Sequence, residues 1–211
     1  MPRTRKGQQR DLKPRLNIFC EGEKTEPNYL NGYIERCFPG TKLTFVKKTD
    51  KNTPVQLVDE AISRKRHNPE KDEFWVVYDR ESVVRYPPEL HDQARAKAAA
   101  NGIKVAFSNV CFEVWILLHF QETVAAYDCC DDLLNRSRLK DHIKGYDKGE
   151  KREFLEEEVS SARKNAEKLN KQTIAAADRS WNKEHQWNPY TDVYKLLDAI
   201  DEFGKKYITD S

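Results

Sequence analysis

Two short stretches of this chain hold residue types that could do chemistry together. Leu16 to Leu30 (LNIFCEGEKTEPNYL) sets an apolar run directly before Glu21, Glu23, Lys24 and Glu26, and the apolar run Phe74–Tyr78 ends in Asp79-Arg80-Glu81. If both runs are parallel strands, Glu21, Asp79 and Glu81 leave the sheet at one edge and can converge. Carboxylates packed together repel one another and hold their protons, and a hard divalent cation relieves that. Oxygen-only ligands of this kind suit Mg²⁺ or Mn²⁺. Such an ion binds phosphates, lowers the pKa of water and stabilises in-line displacement. The residues point to Mg²⁺-dependent phosphoryl transfer, with Glu21, Asp79 and Glu81 as the metal centre. Acids just past strands also start helices, and Glu23 and Glu26 are read that way. Lys24 reads either as a contact to a scissile phosphate or as a surface lysine. Arg80 reads as a phosphate contact or as the partner of a neighbouring acid.

The elements that must position these groups follow from patterning. Leu16–Cys20 is a first strand, and Pro27 opens a helix capped by Thr25 or Glu26 and stopped by Phe38-Pro39-Gly40. Thr41–Lys48 alternates as a second strand. Thr53 caps a helix that has Pro54 at its first position and runs to about His67. Phe74–Tyr78 is a buried strand, Glu89–Asn101 a helix closed by Asn101-Gly102, and Ile103–Phe107 a fourth strand. Cys111–Phe120, apolar on nearly every side, reads as a helix buried against the sheet. The alternation implies an α/β fold with a mostly parallel sheet flanked by helices.

From Gln121 the pattern turns helical. Asp128–Lys140 and Glu153–Ala177 read as helices, and Asn188–Asp192 as the cap of a last helix. Small residues recur along 153–177 at packing intervals, a seam for another helix in the same chain or in a second copy. The domain reading is a basic arm over 1–13, an α/β core over 14–126 and a helical extension over 127–211 packed on that core. Trp115 is a core residue and His119 a satisfied core histidine. Trp181, Lys183, His185 and Trp187 offer base stacking beside charge, or packing ahead of the last helix.

Composition narrows the class. The chain has 211 residues with a net charge of +2, so it is no generic polyanion binder. The basic charge is concentrated in Arg3, Arg5, Lys6, Arg10, Lys13 and Arg15, opposed in that arm only by Asp11. Such an arm suits nucleic-acid phosphates, or else serves solubility alone. Five cysteines without CxxC spacing argue for reduced thiols in a cytoplasm. No apolar run is long enough to span a membrane.

The blocks CEGEKTEPNYL, VVYDRES, SNVCFEVWILLHF and NPYTDVYKLL, in that order, resemble the RloB family over nearly the whole chain. Glu21 after one strand and Asp79-Arg80-Glu81 after another are similar to the TOPRIM pattern of a glutamate followed by an aspartate pair. The resemblance implies a TOPRIM-like, Rossmann-like core in a prokaryotic defence protein, working beside an ABC- or AAA-type ATPase. It implies a Mg²⁺- or Mn²⁺-dependent endonuclease acting on DNA or on RNA such as tRNA. Glu21 would be the acid/base or metal ligand, and Asp79 and Glu81 would hold the metal, although Glu81 stands where the pattern has aspartate. Glu113 is similar to the additional acid that OLD-type nucleases use for a second metal. A non-catalytic binding or regulatory subunit on the same scaffold is the alternative, and phosphoryl transfer on a free nucleotide a third reading.

Overall fold

The structure, a computed structural model, describes residues 13–49, 53–67, 71–82, 85–149 and 151–209. Strand and helix alternate as the patterning predicts: β1 (Leu16–Cys20), α1 (Thr25–Cys37), β2 (Thr44–Lys48), α2 (Pro54–His67), β3 (Glu73–Asp79), α3 (Pro88–Ala100) and β4 (Lys104–Asn109). Two of the expected ends are built as read. Thr53 Oγ1 accepts the Gln56 N–H at 3.3 Å to cap α2. Gly102, at φ +61°, closes α3 while the Ile103 N–H reaches Ala98 O at 2.9 Å.

The sheet runs β2-β1-β3-β4-β5, with β1 to β4 parallel. Period-two alternation divides its side chains between two cores. Leu16, Ile18, Cys20, Trp75, Val77 and Ala106 face one layer, while Phe19, Phe74, Val76, Tyr78 and Phe107 face another built from α2 and α3. The first layer holds α1, α4 (Glu113–Leu117), α5 (Cys130–Arg136) and the C-terminal helical extension, α7 (Glu156–Ala176) and α8 (Val193–Tyr207). Ala162 and Ala166 of the α7 seam are both 0% exposed, so that face is covered within the chain.

Five segments differ from the expectation, the first being β2, which begins at Thr44 rather than Thr41. Cys111–Phe120 is buried as predicted, but only Glu113–Leu117 is α-helical, with turns on either side. The 128–140 segment divides into α5 and the single turn α6 (Leu139–His142), because Ser137 is extended and its Oγ accepts the Leu139 N–H. Helix α7 begins at Glu156 rather than Glu153, where the Glu158 carboxylate accepts the Leu155 N–H at 2.9 Å.

Asn188–Asp192, read as a cap, ends in Asp192, the cap residue of α8, and also carries a fifth strand. β5 (Tyr190–Thr191) pairs antiparallel with Asn109 and Ser108 of β4. Asp192 continues the pairing by accepting the Phe107 N–H at 2.6 Å through its carboxylate and donating its own N–H to Phe107 O at 3.0 Å. The outer side of β5 is met by an α7 side chain. The Asn170 amide donates to Thr191 O at 2.8 Å and accepts the Thr191 N–H at 3.2 Å. A side-chain amide therefore stands where a sixth strand would pair.

Candidate metal centre at the carboxyl edge of the sheet

From β1 the chain crosses to β2 on one side, and from β3 to β4 on the other. The strand order therefore reverses between β1 and β3, the place where open α/β sheets leave a crevice beyond the strand ends. Glu21 and Asp79 sit at the mouth of that crevice. Glu21 is still anchored to the ladder through its N–H to Val77 O at 3.0 Å, and Asp79 ends β3 opposite Ser108.

Asp79 is the centre of the charge cluster. It is 9% exposed, and its Oδ1 is buried without a hydrogen-bond partner among the described residues. Burial, followed by the nearby carboxylates of Glu26, Glu113, Glu21 and Glu81, pushes its pKa well above the ordinary range. Glu21 is also raised, first by burial and then by Glu81, while a 2.6 Å hydrogen bond from Tyr86 Oη opposes the shift.

Glu26, read from the sequence as a helix-start residue, lies in the first turn of α1 and is also a member of the cluster. Neither it nor Thr25 is the cap residue, which is Lys24. Burial, then Glu113 and Glu21, push Glu26 up to about 7. Gly22 makes its position possible, since a Cβ there would lie 2.0 Å from Glu26 Oε2.

Glu113 is buried at the start of α4 and gathers four donors. Thr25 Oγ1 and Tyr146 Oη reach Oε1 at 3.2 and 3.1 Å, Cys130 Sγ reaches Oε2 at 3.1 Å, and Lys148 Nζ lies 3.5 Å away. Burial alone would raise its pKa. Lys148 together with the Cys111 and Cys130 thiols outweighs that and leaves Glu113 below the usual carboxylate value.

Glu81 stands apart. Its backbone is left-handed at φ +53°, its N–H is held by Val110 O at 3.0 Å, and its carboxylate pairs with Arg85 at 3.2 Å. Arg80 is 4% exposed and faces inward, donating to Tyr86 O at 2.6 Å, to His185 O at 3.2 Å and toward His91 Nε2 at 3.4 Å. It thereby holds the segment that carries Tyr86 over Glu21. Lys24 is exposed. Arg15 lies over the Phe45 ring, Lys13 Nζ reaches Tyr207 O at 3.3 Å, and Arg3, Arg5, Lys6 and Arg10 lie outside the described residues. His119 is buried as expected, between Tyr29 Oη and Trp115 O, each at 3.0 Å.

A hard divalent cation suits the acidic edge, because Asp79 offers a buried oxygen with no other partner amid carboxylates that repel one another. The side chains are not drawn together around a single point, however. Among the described residues, one set of three potential ligands gathers within 4.8 Å: Cys111, Glu113 and Cys130. That set could hold a divalent metal ion, and it shares only Glu113 with the set expected from the sequence. The thiols escaped sequence reasoning because nineteen residues separate them. Glu26 escaped it because a carboxylate in a first helical turn has an ordinary explanation, although the Gly22 beside Glu21 was a visible sign of crowding.

An α/β sheet with an acidic switch point and a helical extension defines a TOPRIM-like protein. The chain belongs to the RloB family: the family described as RloB-like protein matches residues 16–200. No curated protein and no solved structure matches it. Among the described residues, no helix is long and apolar enough to cross a membrane.

Proposed function

We propose that this chain is the TOPRIM-like binding and regulatory subunit of a prokaryotic defence complex. In this reading it takes up a divalent cation at its acidic sheet edge and, through it, the phosphates of a nucleic acid, and it docks onto an ATPase partner. The observation that carries the proposal is the arrangement of Glu81. Its carboxylate pairs with Arg85, and the close ligand set found among the described residues, Cys111–Glu113–Cys130, is not the acidic set that nuclease chemistry would use. The ATPase partner and the nucleic acid rest on the family alone, and the basic arm would supply backbone contacts.

A second reading, a Mg²⁺- or Mn²⁺-dependent endonuclease, is favoured by Asp79, whose unpartnered buried oxygen lies amid four other carboxylates. Glu21, Asp79, Glu81 and Glu113 would then hold the ion, which would supply Lewis-acid stabilisation of a phosphodiester undergoing displacement. Lys24 would face the phosphate, and Tyr86 would orient Glu21.

The two readings separate in one experiment. Purified protein, with and without a cognate ATPase, is incubated with plasmid DNA or total tRNA in Mg²⁺, Mn²⁺ or EDTA, and both binding and strand integrity are measured. Cation-dependent binding with intact strands, weakened about tenfold or more in Asp79→Asn, supports the binding subunit. Cation-dependent cleavage abolished in both Glu21→Ala and Asp79→Ala replaces it with the nuclease.

A further inference from the structure

The thiols behind Glu113 have a chemistry of their own. Cys111 follows β4 and Cys130 opens α5, and their Sγ atoms lie 2.7 Å apart. A formed disulfide holds its sulfurs at about 2.05 Å. The two sulfurs therefore need to approach by a fraction of an ångström to bond.

Their surroundings differ. Cys130 Sγ accepts from Lys148 Nζ at 3.1 Å and donates to Glu113 Oε2 at 3.1 Å. Cys111 is 1% exposed, and its sulfur contacts Cys130. Cys130 keeps 8% of its surface exposed, and Lys148, half exposed beside its sulfur, lines with Tyr146 a cavity of about 330 Å³. Cys20, Cys37 and Cys129 show no comparable thiol contact among the described residues.

We propose that Cys111 and Cys130 are an oxidative modification site that hydroperoxides close to a reversible disulfide. The Cys130 sulfur attacks one oxygen of hydrogen peroxide and gives up its thiol proton. The O–O bond breaks, the sulfur becomes a sulfenic acid, and the departing hydroxide takes a proton to leave as water. The Cys111 sulfur then attacks the Cys130 sulfur. The S–S bond forms, the S–O bond breaks, and the hydroxyl leaves as a second water with the Cys111 proton. Two electrons pass from the thiols to the peroxide. The product removes two of the three ligands from the Cys111–Glu113–Cys130 set and ends the Cys130 hydrogen bond to Glu113, which leaves Lys148 to Glu113 alone. In a reducing compartment such a bond is transient, as sensing disulfides are.

The test uses the full chain. Reduced protein is treated with stoichiometric hydrogen peroxide, its thiols are titrated under denaturing conditions, and its peptides are mapped by mass spectrometry. The expected result is a fall from five free thiols to three, a single Cys111–Cys130 linkage, and return to five with dithiothreitol. Loading with Zn²⁺ beforehand should slow the loss. Five surviving thiols, a linkage through Cys129 or Cys20, or sulfinic acid at Cys130 without a linkage would each overturn the proposal. In Cys111→Ser, a cyclic 1,3-dione should trap a sulfenic acid on Cys130, and no such adduct should form on Cys111 in Cys130→Ser; the opposite pattern overturns the assigned roles. Mapping of the unmutated chain stands even if a variant fails to fold. Every readout is free of nucleic acid, so failure here and failure of the binding proposal are distinguishable.

Discussion

Gly22 and Glu26 share a space that admits only one of two groups, a Cβ on residue 22 or the carboxylate of residue 26. Gly22→Ala should therefore destabilise the chain by about 1–3 kcal/mol, the usual cost of forcing atoms into a packed site. The same substitution in a Glu26→Ala background should cost less than about 1 kcal/mol, and denaturant unfolding of the four proteins measures the coupling. Glu26 also sets a pH dependence. Its folded pKa of about 7 lies above its ordinary 4.5, so the folded state binds the extra proton between those values. That contribution to stability is complete below about pH 4.5 and is lost as pH rises through about 7, on the order of 3 kcal/mol in all. In EDTA, Glu26→Gln should show a shallower decline of stability over that interval than the parent chain; an unchanged slope would place Glu26's charge elsewhere. Glu81 supplies a contrast, since its left-handed backbone is one that glycine adopts freely. The part of the centre visible in the sequence was the part written as strand followed by acid, Glu21 and Asp79, together with Glu113, which the family resemblance supplied. The part hidden from it depended on backbone direction at Glu81 and on side chains brought from α1 and α5, neither of which strand patterning encodes.

At the level of elements, helix propensity and packing make opposite predictions for Gly204 in α8. Alanine would ordinarily gain about 1 kcal/mol in a helix interior. A Cβ at 204, however, would lie 2.0 Å from Cζ of the buried Phe38 ring. Packing should prevail, so Gly204→Ala should lower stability by about 1–3 kcal/mol, read from the urea midpoint. The contact matters because Phe38 ends α1, whose first turn carries Glu26, and α8 is what braces it. Arg163 ties the same two helices to α7, with Nη2 at 2.7 Å from both Tyr33 Oη and Asp201 Oδ2. The helices were legible wherever apolar residues recur on one face and a cap residue or Gly marks the end, as for α2 and α3. They were less so where ends depend on tertiary hydrogen bonds: α7 starts late because Glu158 reaches back to Leu155. β5 was missed because a two-residue strand has no period to detect. Its pairing comes from the position of Asp192 against Phe107.

Across the whole molecule, the α/β class, the parallel direction of the strands and the presence of the C-terminal helices were readable, because each rests on alternation of apolar runs over many residues. The closing of the sheet was not, because it depends on one amide. Asn170 satisfies both backbone groups of Thr191 that face away from β4. Asn170→Ala would strand a buried N–H and a buried C=O, and should cost about 2–4 kcal/mol in chemical denaturation. Asn170→Asp, which keeps the acceptor but loses the donor, should also be destabilised. A change under about 0.5 kcal/mol in either would show that water replaces the amide. At the far margin, β2 carries Lys47 and Lys48, charges that discourage a neighbouring strand. With one margin plugged by a carboxamide and the other guarded by ammonium groups, the sheet offers little template for strand addition. Any companion, a second copy included, is left to recognise side chains rather than main chain, and the association should therefore be selective and resist growth into fibres.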